Sequence, residues 1–500
     1  MTPITNITSE FTPRVDENGN PVAKSERRPK RKVAVMIGYC GTGYNGMQIQ
    51  NDPNVKTIEG ELFNAFVEAG AVSKDNADDI KKNAFMRAAR TDKGVHAAGN
   101  VISAKLIVED EDIIEKINQA LPDQIRIWGI QRVTKSFDCR KMCSSRIYEY
   151  LLPTYSLLPP KPHSALADLI EEKQTEHPGT LLVDEEGSKW WDETRQEVLA
   201  TGVTEQQLEE LLAKQKAGES IKTYDSEGQI TEEGQFIRSI KNVENTRRRA
   251  YRISKERLQR FREAMEQYVG SNNFHNFTVG KSFKDPASRR YIMETSVSEP
   301  FVIEGTEWVS VKLHGQSFML HQIRKMIAMA CLVVRTGCPV ERIKQFYGPN
   351  KINIPKAPAL GLLLENPVYT TYNKMLEKNN HKAIDFTEFS EKMDAFKMKY
   401  IYDKIYAEEA RDNVFYGFFG FIDSFKAHAT EGVPSNLRES GEGEIGHVFE
   451  FLGKMFDEPI QEEQSKKETD SKEEQPKKET DSKEEQPKKE TASEEEQPQE

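Results

Sequence analysis

Short apolar runs and helical spacings alternate along two separate stretches of this chain. Runs rich in β-branched and aromatic residues predict strands, at Val33–Tyr39, Phe85–Ala89, Asn100–Val108, Ile125–Val133, Ile147–Leu152, Arg290–Val297 and Trp308–Leu313. Apolar residues at helical spacing predict helices, at Ile58–Val67, Ile113–Leu121, Ser254–Val269 and Phe318–Thr336. Strands and helices that alternate with short loops between them predict an α+β fold in two halves.

Changes in composition divide the chain into six segments. We expect a disordered basic arm (1–31), a first half (32–160), an acidic, partly ordered insertion (161–240), a second half (241–372), a helical extension (373–458) and a disordered acidic tail (459–500). The tail repeats the unit KKETDSKEEQP from Lys466 and again from Lys477, and this unit has no apolar residue to bury. The aromatic run Phe415–Phe421 is expected to pack against the body of the protein.

The net charge of -11 hides a basic body. The acidic block Ser164–Gln235 carries roughly -12 and the tail roughly -7, which leaves about +8 for the remainder. A basic body is what a polyanion-binding surface requires, and a merely uneven distribution of charge is the alternative. The cluster Arg27–Lys32 is either a nuclear import signal or an arm that touches phosphates. No run of about 18 apolar residues predicts a membrane span, and five cysteines argue against a disulfide framework.

The segment Arg90–Ala97 is the sharpest candidate for chemistry. Arg90 and Lys93 flank Asp92, and neighbouring positive charge favours the carboxylate anion. Gly94 allows a sharp turn that presents the carboxylate, and loops at strand ends often carry catalytic residues. From the residues alone, a hairpin turn with a surface ion pair explains the segment equally well.

Two further segments place polar or aromatic side chains together. Within the predicted helix, His321 and Arg324 are three residues apart and share a face. A guanidinium on an apolar helix needs an anion, and Asp92 is a candidate partner, with solvent or a phosphate as alternatives. On the predicted strand, Arg146 and Tyr148 share a face, which suits stacking on an unpaired base; a tyrosine in the core is the alternative.

Two other chemistries find less support. The loop Gly41–Gly46 lacks the Lys and Ser/Thr of a phosphate-binding loop, which argues against phosphoryl transfer. Cys139 and Cys143 are four residues apart, but no second pair completes a zinc site. A bound zinc ion is therefore the less favoured alternative to a protein without metal.

Taken together, the motifs resemble those of the TruA family of pseudouridine synthases, over roughly Lys32 to Tyr369 with the insertion as an interruption. The similar segments are Tyr39–Gln48, Arg90–Ala97, Arg146–Tyr150, Asn273–Phe277, Phe318–Arg324 and Gly361–Leu362. Lys93, His96, the basic arm and the acidic insertion are most similar to the eukaryotic multisite members. Met47, where the family usually has Trp, and Leu363, where an aromatic residue is common, are departures.

The resemblance implies two similar ferredoxin-like halves, joined through a mixed, largely antiparallel sheet around a central basic cleft. It implies Asp92 as the essential carboxylate, Arg324 as its partner within about 4 Å, and Tyr148 as the residue that stacks on the base. Arg90 would fill the space that the base leaves, and Leu362 would pack on the other side of the base. The remaining candidates for contact with substrate are Lys93, His96, Arg146 and His321.

The resemblance also implies isomerisation of uridine in tRNA at several positions without a required cofactor. Small nuclear RNA and messenger RNA are further candidate substrates. We expect a monomer that does not bind membranes, in the nucleus with a further pool in mitochondria. A catalytically inactive RNA-binding protein on the same fold is the alternative, and it would not need both Asp92 and Arg324.

Overall fold

The computed structural model describes residues 28–50, 52, 54–217, 219, 221–378 and 382–424. Most of the predicted basic arm, the end of the helical extension and the whole acidic tail lie outside the described residues. In the described part of the chain, no helix is both long enough and apolar enough to span a membrane.

Among the residues that the structure describes, ten strands form one mixed sheet. They are β1 (Arg31–Tyr39), β2 (Met86–Arg87), β3 (His96–Leu106), β4 (Ile125–Arg132), β5 (Ser145–Pro153), β6 (Gly270–Asn273), β7 (Arg289–Val297), β8 (Phe301–Ile303), β9 (Thr306–Gly315) and β10 (Leu362–Val368). The order across the sheet is β4-β1-β3-β10-β5-β9-β7-β6, with β2 paired to β3 and β8 paired to β9.

Twelve α-helices accompany the sheet within the described ranges. They are α1 (Ile58–Glu68), α2 (Ile113–Ala120), α3 (Ala165–Glu176), α4 (Glu185–Ala200), α5 (Glu205–Ala217), α6 (Glu232–Ala250), α7 (Lys255–Glu266), α8 (Gln322–Arg335), α9 (Thr370–Lys378), α10 (Ser390–Phe396), α11 (Asp403–Asp412) and α12 (Val414–Ser424). A π-helical turn, Lys397–Tyr402, joins α10 to α11.

Two halves of the sheet share one topology. The first half runs β1-α1-β2-β3-α2-β4 with strand order β4-β1-β3-β2, and the second runs β5-α7-β7-β9-α8-β10 with order β10-β5-β9-β7. Both follow the β-α-β-β-α-β pattern of a ferredoxin-like fold. β5 therefore belongs to the second half, although the predicted first half, 32–160, included it. The prediction of an α+β fold with a mixed sheet is confirmed.

A short parallel pairing joins the halves. Leu363 and Leu364 of β10 lie beside His96 and Ala97 of β3, while the other edge of β10 pairs antiparallel with β5. The start of β3 and the start of β10 therefore meet near the centre of the sheet. Whatever precedes β3 in sequence is brought to the boundary between the two halves.

Helices α3 to α6 occupy much of the predicted acidic insertion. The predicted boundary at residue 240 falls inside α6. Arg257 of α7 pairs with Asp184 through two guanidinium nitrogens at 2.7 and 2.8 Å, and Trp191 donates to the Pro159 carbonyl at 3.2 Å. Charge and aromatic contacts thus attach the insertion to the second half, which segment composition did not reveal.

The helices after β10 pack against the sheet. The ring of Phe396 meets Trp128 of β4 edge to face at 5.3 Å, and Phe415 lies fully buried against Tyr150 and Trp308. The prediction that the aromatic run would pack against the body is confirmed at Phe415.

Candidate active site

A tight loop between β2 and β3 carries Asp92 to the boundary between the halves. The Val95 N–H donates to the Asp92 carbonyl at 3.1 Å, and Gly94 has φ of +76°, a backbone conformation that favours glycine. β3 begins directly after this loop at His96, the register partner of Leu363 in the second half. Asp92 is 36% exposed, so its carboxylate remains open to a ligand.

The glycine loop, residues 41–47 after β1, packs against the Asp92 loop. The Met47 N–H donates to the Thr91 carbonyl at 3.2 Å, and the Gly94 N–H donates to the Tyr44 carbonyl at 3.3 Å. Gly46 has φ of +89°, and a Cβ there would lie 2.8 Å from the Thr91 oxygen. The loop is therefore a close-fitting support for Asp92, whereas the sequence indicated only a tight turn.

A hydroxyl network holds the same loop from the side of the sheet. The hydroxyl groups of Tyr39 and Thr91 are 2.9 Å apart, and the side chain of Asn100 donates to the Ala89 carbonyl at 3.0 Å. Sequence reasoning missed these residues as part of the site. Tyr39 stands in a segment that the resemblance already identified, which was the available signal.

His96 lies elsewhere than predicted. It was expected to contact substrate, but it is fully buried, and its Nδ1 accepts from the Gly41 N–H at 3.1 Å. Burial lowers the pKa of His96 to about 4, so the ring is neutral at pH 7. A side chain without exposed surface cannot reach a ligand here; His96 instead connects the glycine loop to the start of β3.

Asp92 and Arg324, both of which the structure describes, do not form the expected ion pair. Arg324 Nε donates to the Ala357 carbonyl at 2.6 Å, and the Ala357 N–H donates back to the Arg324 carbonyl at 3.1 Å. Burial lowers the pKa of Arg324, while the charge of Asp92 opposes that change. The two groups therefore interact through their charges, and the chain segment before β10 takes the hydrogen bond.

His321 is the group that faces Asp92. Its Nε2 lies 3.7 Å from Asp92 Oδ2, and burial lowers its pKa while Asp92 opposes the change. The predicted helix from Phe318 is wrong at its start, because His321 has φ of +61° and α8 begins at Gln322. A left-handed residue other than glycine costs about 1–3 kcal/mol and is typical of functional sites.

Tyr148 forms an aromatic wall beside Asp92. Its ring is mostly buried and meets Phe318 edge to face at 5.2 Å. Burial raises the pKa of Tyr148 to about 12, so the phenol remains protonated at neutral pH. Leu364 is its register partner on β10, where Leu362 lies two residues earlier opposite Tyr150. Phe318 is a wall residue to which the sequence assigned no role.

The predicted basic residues divide into two kinds. Arg146 donates to the Ala88 carbonyl at 3.0 Å and to the Gln316 carbonyl at 3.2 Å, so its guanidinium connects backbone of the two halves. Arg146 was expected to contact substrate, but its guanidinium is hydrogen-bonded to the backbone of the protein instead. Arg90 and Lys93 are exposed on the Asp92 loop, where a polyanion can reach them.

The site offers few metal ligands. No group of three or more His, Cys, Asp or Glu side chains is arranged to hold a metal ion in the part of the chain that the structure describes. All five cysteines are free thiols. At the candidate site itself, the side chains of a type that can bind a metal are Asp92 and its neighbour His321.

An exposed carboxylate, a neutral imidazole and a protonated tyrosine thus converge between two ferredoxin-like halves. An aromatic side chain beside the carboxylate suits a planar ligand, and the carboxylate suits attack on, or proton removal from, an atom held beside Tyr148. These features define an enzyme whose carboxylate acts on a planar ligand.

Comparisons with known proteins agree with this class. A family model described as tRNA pseudouridine synthase matches residues 264–370. A Candida albicans protein named tRNA pseudouridine synthase 1 is 57% identical over 462 residues, which cover 89% of this chain and 73% of that protein. The Saccharomyces cerevisiae protein of the same name is 54% identical, over 88% of this chain and 80% of its own length. A second S. cerevisiae protein, named tRNA pseudouridine(27/28) synthase, is 38% identical over 76% of this chain and 96% of its own length.

The chain therefore belongs to the TruA family of tRNA pseudouridine synthases.

Proposed function

We propose that this chain isomerises uridine to pseudouridine at several positions in tRNA. The observation that carries the proposal is the placement of Asp92: partly exposed, at the boundary of the halves, and beside the wall formed by Tyr148. The names of the similar proteins support tRNA as the substrate.

The reaction rearranges bonds within one nucleotide. The bond from N1 of uracil to C1′ of the ribose breaks, the base rotates, and C5 bonds to C1′. A proton leaves C5 and N1 gains one, so the composition of the nucleotide is unchanged. Asp92 would act either as a nucleophile or as the base that removes a ribose proton. Because no group is transferred and no electron is gained or lost, we expect no cofactor to be required.

The groups around Asp92 leave its carboxylate available to the substrate. The lowered pKa of His321 leaves its ring neutral at pH 7, so it does not neutralise the carboxylate. Arg324 lies close enough for its charge to interact with Asp92 without a direct pair. Asp92 thus keeps an open lone pair for the substrate, and we expect Arg324 to support its orientation electrostatically.

The uridine must leave its stack before Asp92 can reach it. Extrusion of a base costs about a few kcal/mol, and stacking on an aromatic side chain is worth about 1–3 kcal/mol. Tyr148 would supply that stacking, while Arg90 would occupy the space left in the RNA and Leu362 would contact the other side of the base.

Release of tritium from C5-labelled tRNA tests the proposal. The wild-type protein should release tritium, and Asp92→Ala should release none while it still binds the same tRNA in a filter assay. Retained activity in Asp92→Ala would contradict the assignment. Binding without tritium release by the wild type would favour a catalytically inactive RNA-binding protein instead.

We also propose further substrates and locations on less direct grounds. Small nuclear RNA and messenger RNA contain single-stranded uridines that the same site would accept, and mapping pseudouridine in cells without the gene tests this.

The cluster Arg27–Lys32 supports a nuclear location, with a mitochondrial pool as a second location. Fluorescent fusions with and without alanine at these positions test the nuclear signal. We expect the enzyme to act as a monomer, which sedimentation measures.

A further inference from the structure

A surface loop, residues 278–285, begins in contact with the segment that precedes His321. Thr278 Oγ1 donates to the Leu320 carbonyl at 2.9 Å, and the buried Lys325 donates to the Thr278 carbonyl at 3.4 Å. Leu320 is the residue before His321, which faces Asp92. The start of the 278–285 loop is thus connected by one hydrogen bond to the wall of the site.

This loop exposes large apolar side chains on a backbone that is held in place. Val279 is 43% exposed, Phe283 is 38% exposed and the adjoining Leu320 is 54% exposed. The side chain of Asn273 donates to the Phe283 carbonyl at 2.8 Å, and the Phe283 ring meets His275 edge to face at 5.5 Å. An exposed aromatic ring on a backbone that is held in place can serve as a platform for a base.

The charge of the same region is positive. Four basic residues, Lys281, Lys284, Arg289 and Arg290, stand within 13 positions that contain one acidic residue, Asp285. Lys281 pairs with Asp285 at 2.6 Å. Lys284 is exposed and makes no ion pair with another residue that the structure describes. An exposed ring beside an exposed lysine matches a strand that presents bases and phosphates alternately.

We propose that the 278–285 loop binds the unpaired nucleotide next to the target uridine, with its base stacked on Phe283 and its phosphate at Lys284. The inference rests on the proposed function and specifies how the RNA strand lies at that site. Extrusion of the uridine removes its stacking on the adjoining base, so a surface that binds the adjoining nucleotide would stabilise the extruded state. Charge complementarity favours RNA over a protein partner as the occupant.

The experiment compares variants of the 278–285 loop with control variants at exposed residues that are distant from the loop in sequence. Phe283→Ala and Lys284→Ala are the test variants, Phe283→Tyr retains a ring, and Tyr224→Ala and Lys392→Ala are the controls. Thermal unfolding verifies that each variant is folded. The dissociation constant for a tRNA transcript is measured from 50 to 200 mM salt, together with single-turnover tritium release at saturating enzyme.

We expect Phe283→Ala to weaken tRNA binding roughly tenfold and Phe283→Tyr to restore it, since a base stacks on either ring. Lys284→Ala should reduce the slope of log K against log[salt] by about 0.7, the value for one contact to a single-stranded phosphate. The two control variants should bind as the wild type does. At saturating enzyme, the rate of tritium release should change less than the affinity.

A site-specific crosslink gives an independent readout. A tRNA with 4-thiouridine next to the target position should crosslink within residues 278–285 of the wild type. If the crosslink maps elsewhere, or if the loop variants match the controls in affinity and salt slope, the inference is overturned and the proposed function stands. A wild-type protein that binds tRNA but releases no tritium overturns the proposed function, and the crosslink still decides the position of the loop.

Discussion

Substitution of Gly46 tests whether the glycine loop positions Asp92. Alanine at this position meets two costs: a backbone with φ of +89° and a Cβ 2.8 Å from the Thr91 carbonyl oxygen. The left-handed conformation costs about 1–2 kcal/mol for a residue with a Cβ. Ordinary van der Waals contact begins at 3.4 Å, so Thr91 must move by about 0.6 Å, and Asp92 is the next residue.

Gly43 supplies a matched control. It has a similar φ of +87°, but a Cβ there would have no heavy atom within 4 Å. We expect Gly43→Ala and Gly46→Ala to lower the free energy of unfolding by about 1–2 kcal/mol from backbone strain. Only Gly46→Ala should also lower kcat, by about 10- to 100-fold, because a misplacement of about 1 Å costs about 100-fold.

Tritium release from C5-labelled tRNA under single-turnover conditions measures the chemical step, and urea unfolding measures stability. The reasoning is refuted if both variants lose the same fraction of activity, because strain alone would then account for the loss. It is also refuted if Gly46→Ala retains the wild-type rate, because the close contact with Thr91 would then not control Asp92.

Three further predictions follow from buried and reactive groups. The pKa of His96 is about 4 in the folded state and about 6.5 in the unfolded state. Between these pH values only the unfolded state binds the imidazole proton. The free energy of unfolding should therefore fall by about 3 kcal/mol from pH 6.5 to pH 4. His96→Asn, which can still accept from Gly41, should show a smaller fall in unfolding experiments across this range. Arg335 Nη2 donates to both oxygens of the buried Asp423 carboxylate at 2.7 and 2.6 Å, so Asp423→Ala should cost about 3–5 kcal/mol, and a double substitution with apolar residues should recover much of it. Asp92→Asn preserves shape without the charge and should abolish tritium release with little change in the melting temperature; a shift in melting temperature without loss of activity would contradict the catalytic assignment.

Local patterns in the sequence predicted the fold class and the hairpin that carries Asp92, whereas β10 and the start of α8 were not predicted. Alternating strands and helices predicted the α+β class, and the predicted hairpin of Phe85–Ala89 and Asn100–Val108 around a turn at Lys93–Gly94 appears as β2, the Asp92 loop and β3. Hydrophobic periodicity and turn residues act over a few positions, so a sequence reveals them directly.

Distances between side chains were less accessible. The sequence placed Arg324 as the partner of Asp92, yet the guanidinium bonds to the Ala357 carbonyl and His321 faces the carboxylate. The competitor, Ala357, lies 33 residues further along the chain, and no local pattern indicates that its carbonyl would point there.

The sequence by itself determined that a flanked carboxylate would stand on a glycine turn after a short strand, because turn chemistry is local. Only the tertiary structure decided that His96 is buried, that Gly46 supports Thr91, and that β3 meets β10 at the boundary of the halves. The physical reason is that burial and close contact depend on which distant segments share the same space, and the pairing of β3 with β10 brings together residues that are more than 250 positions apart.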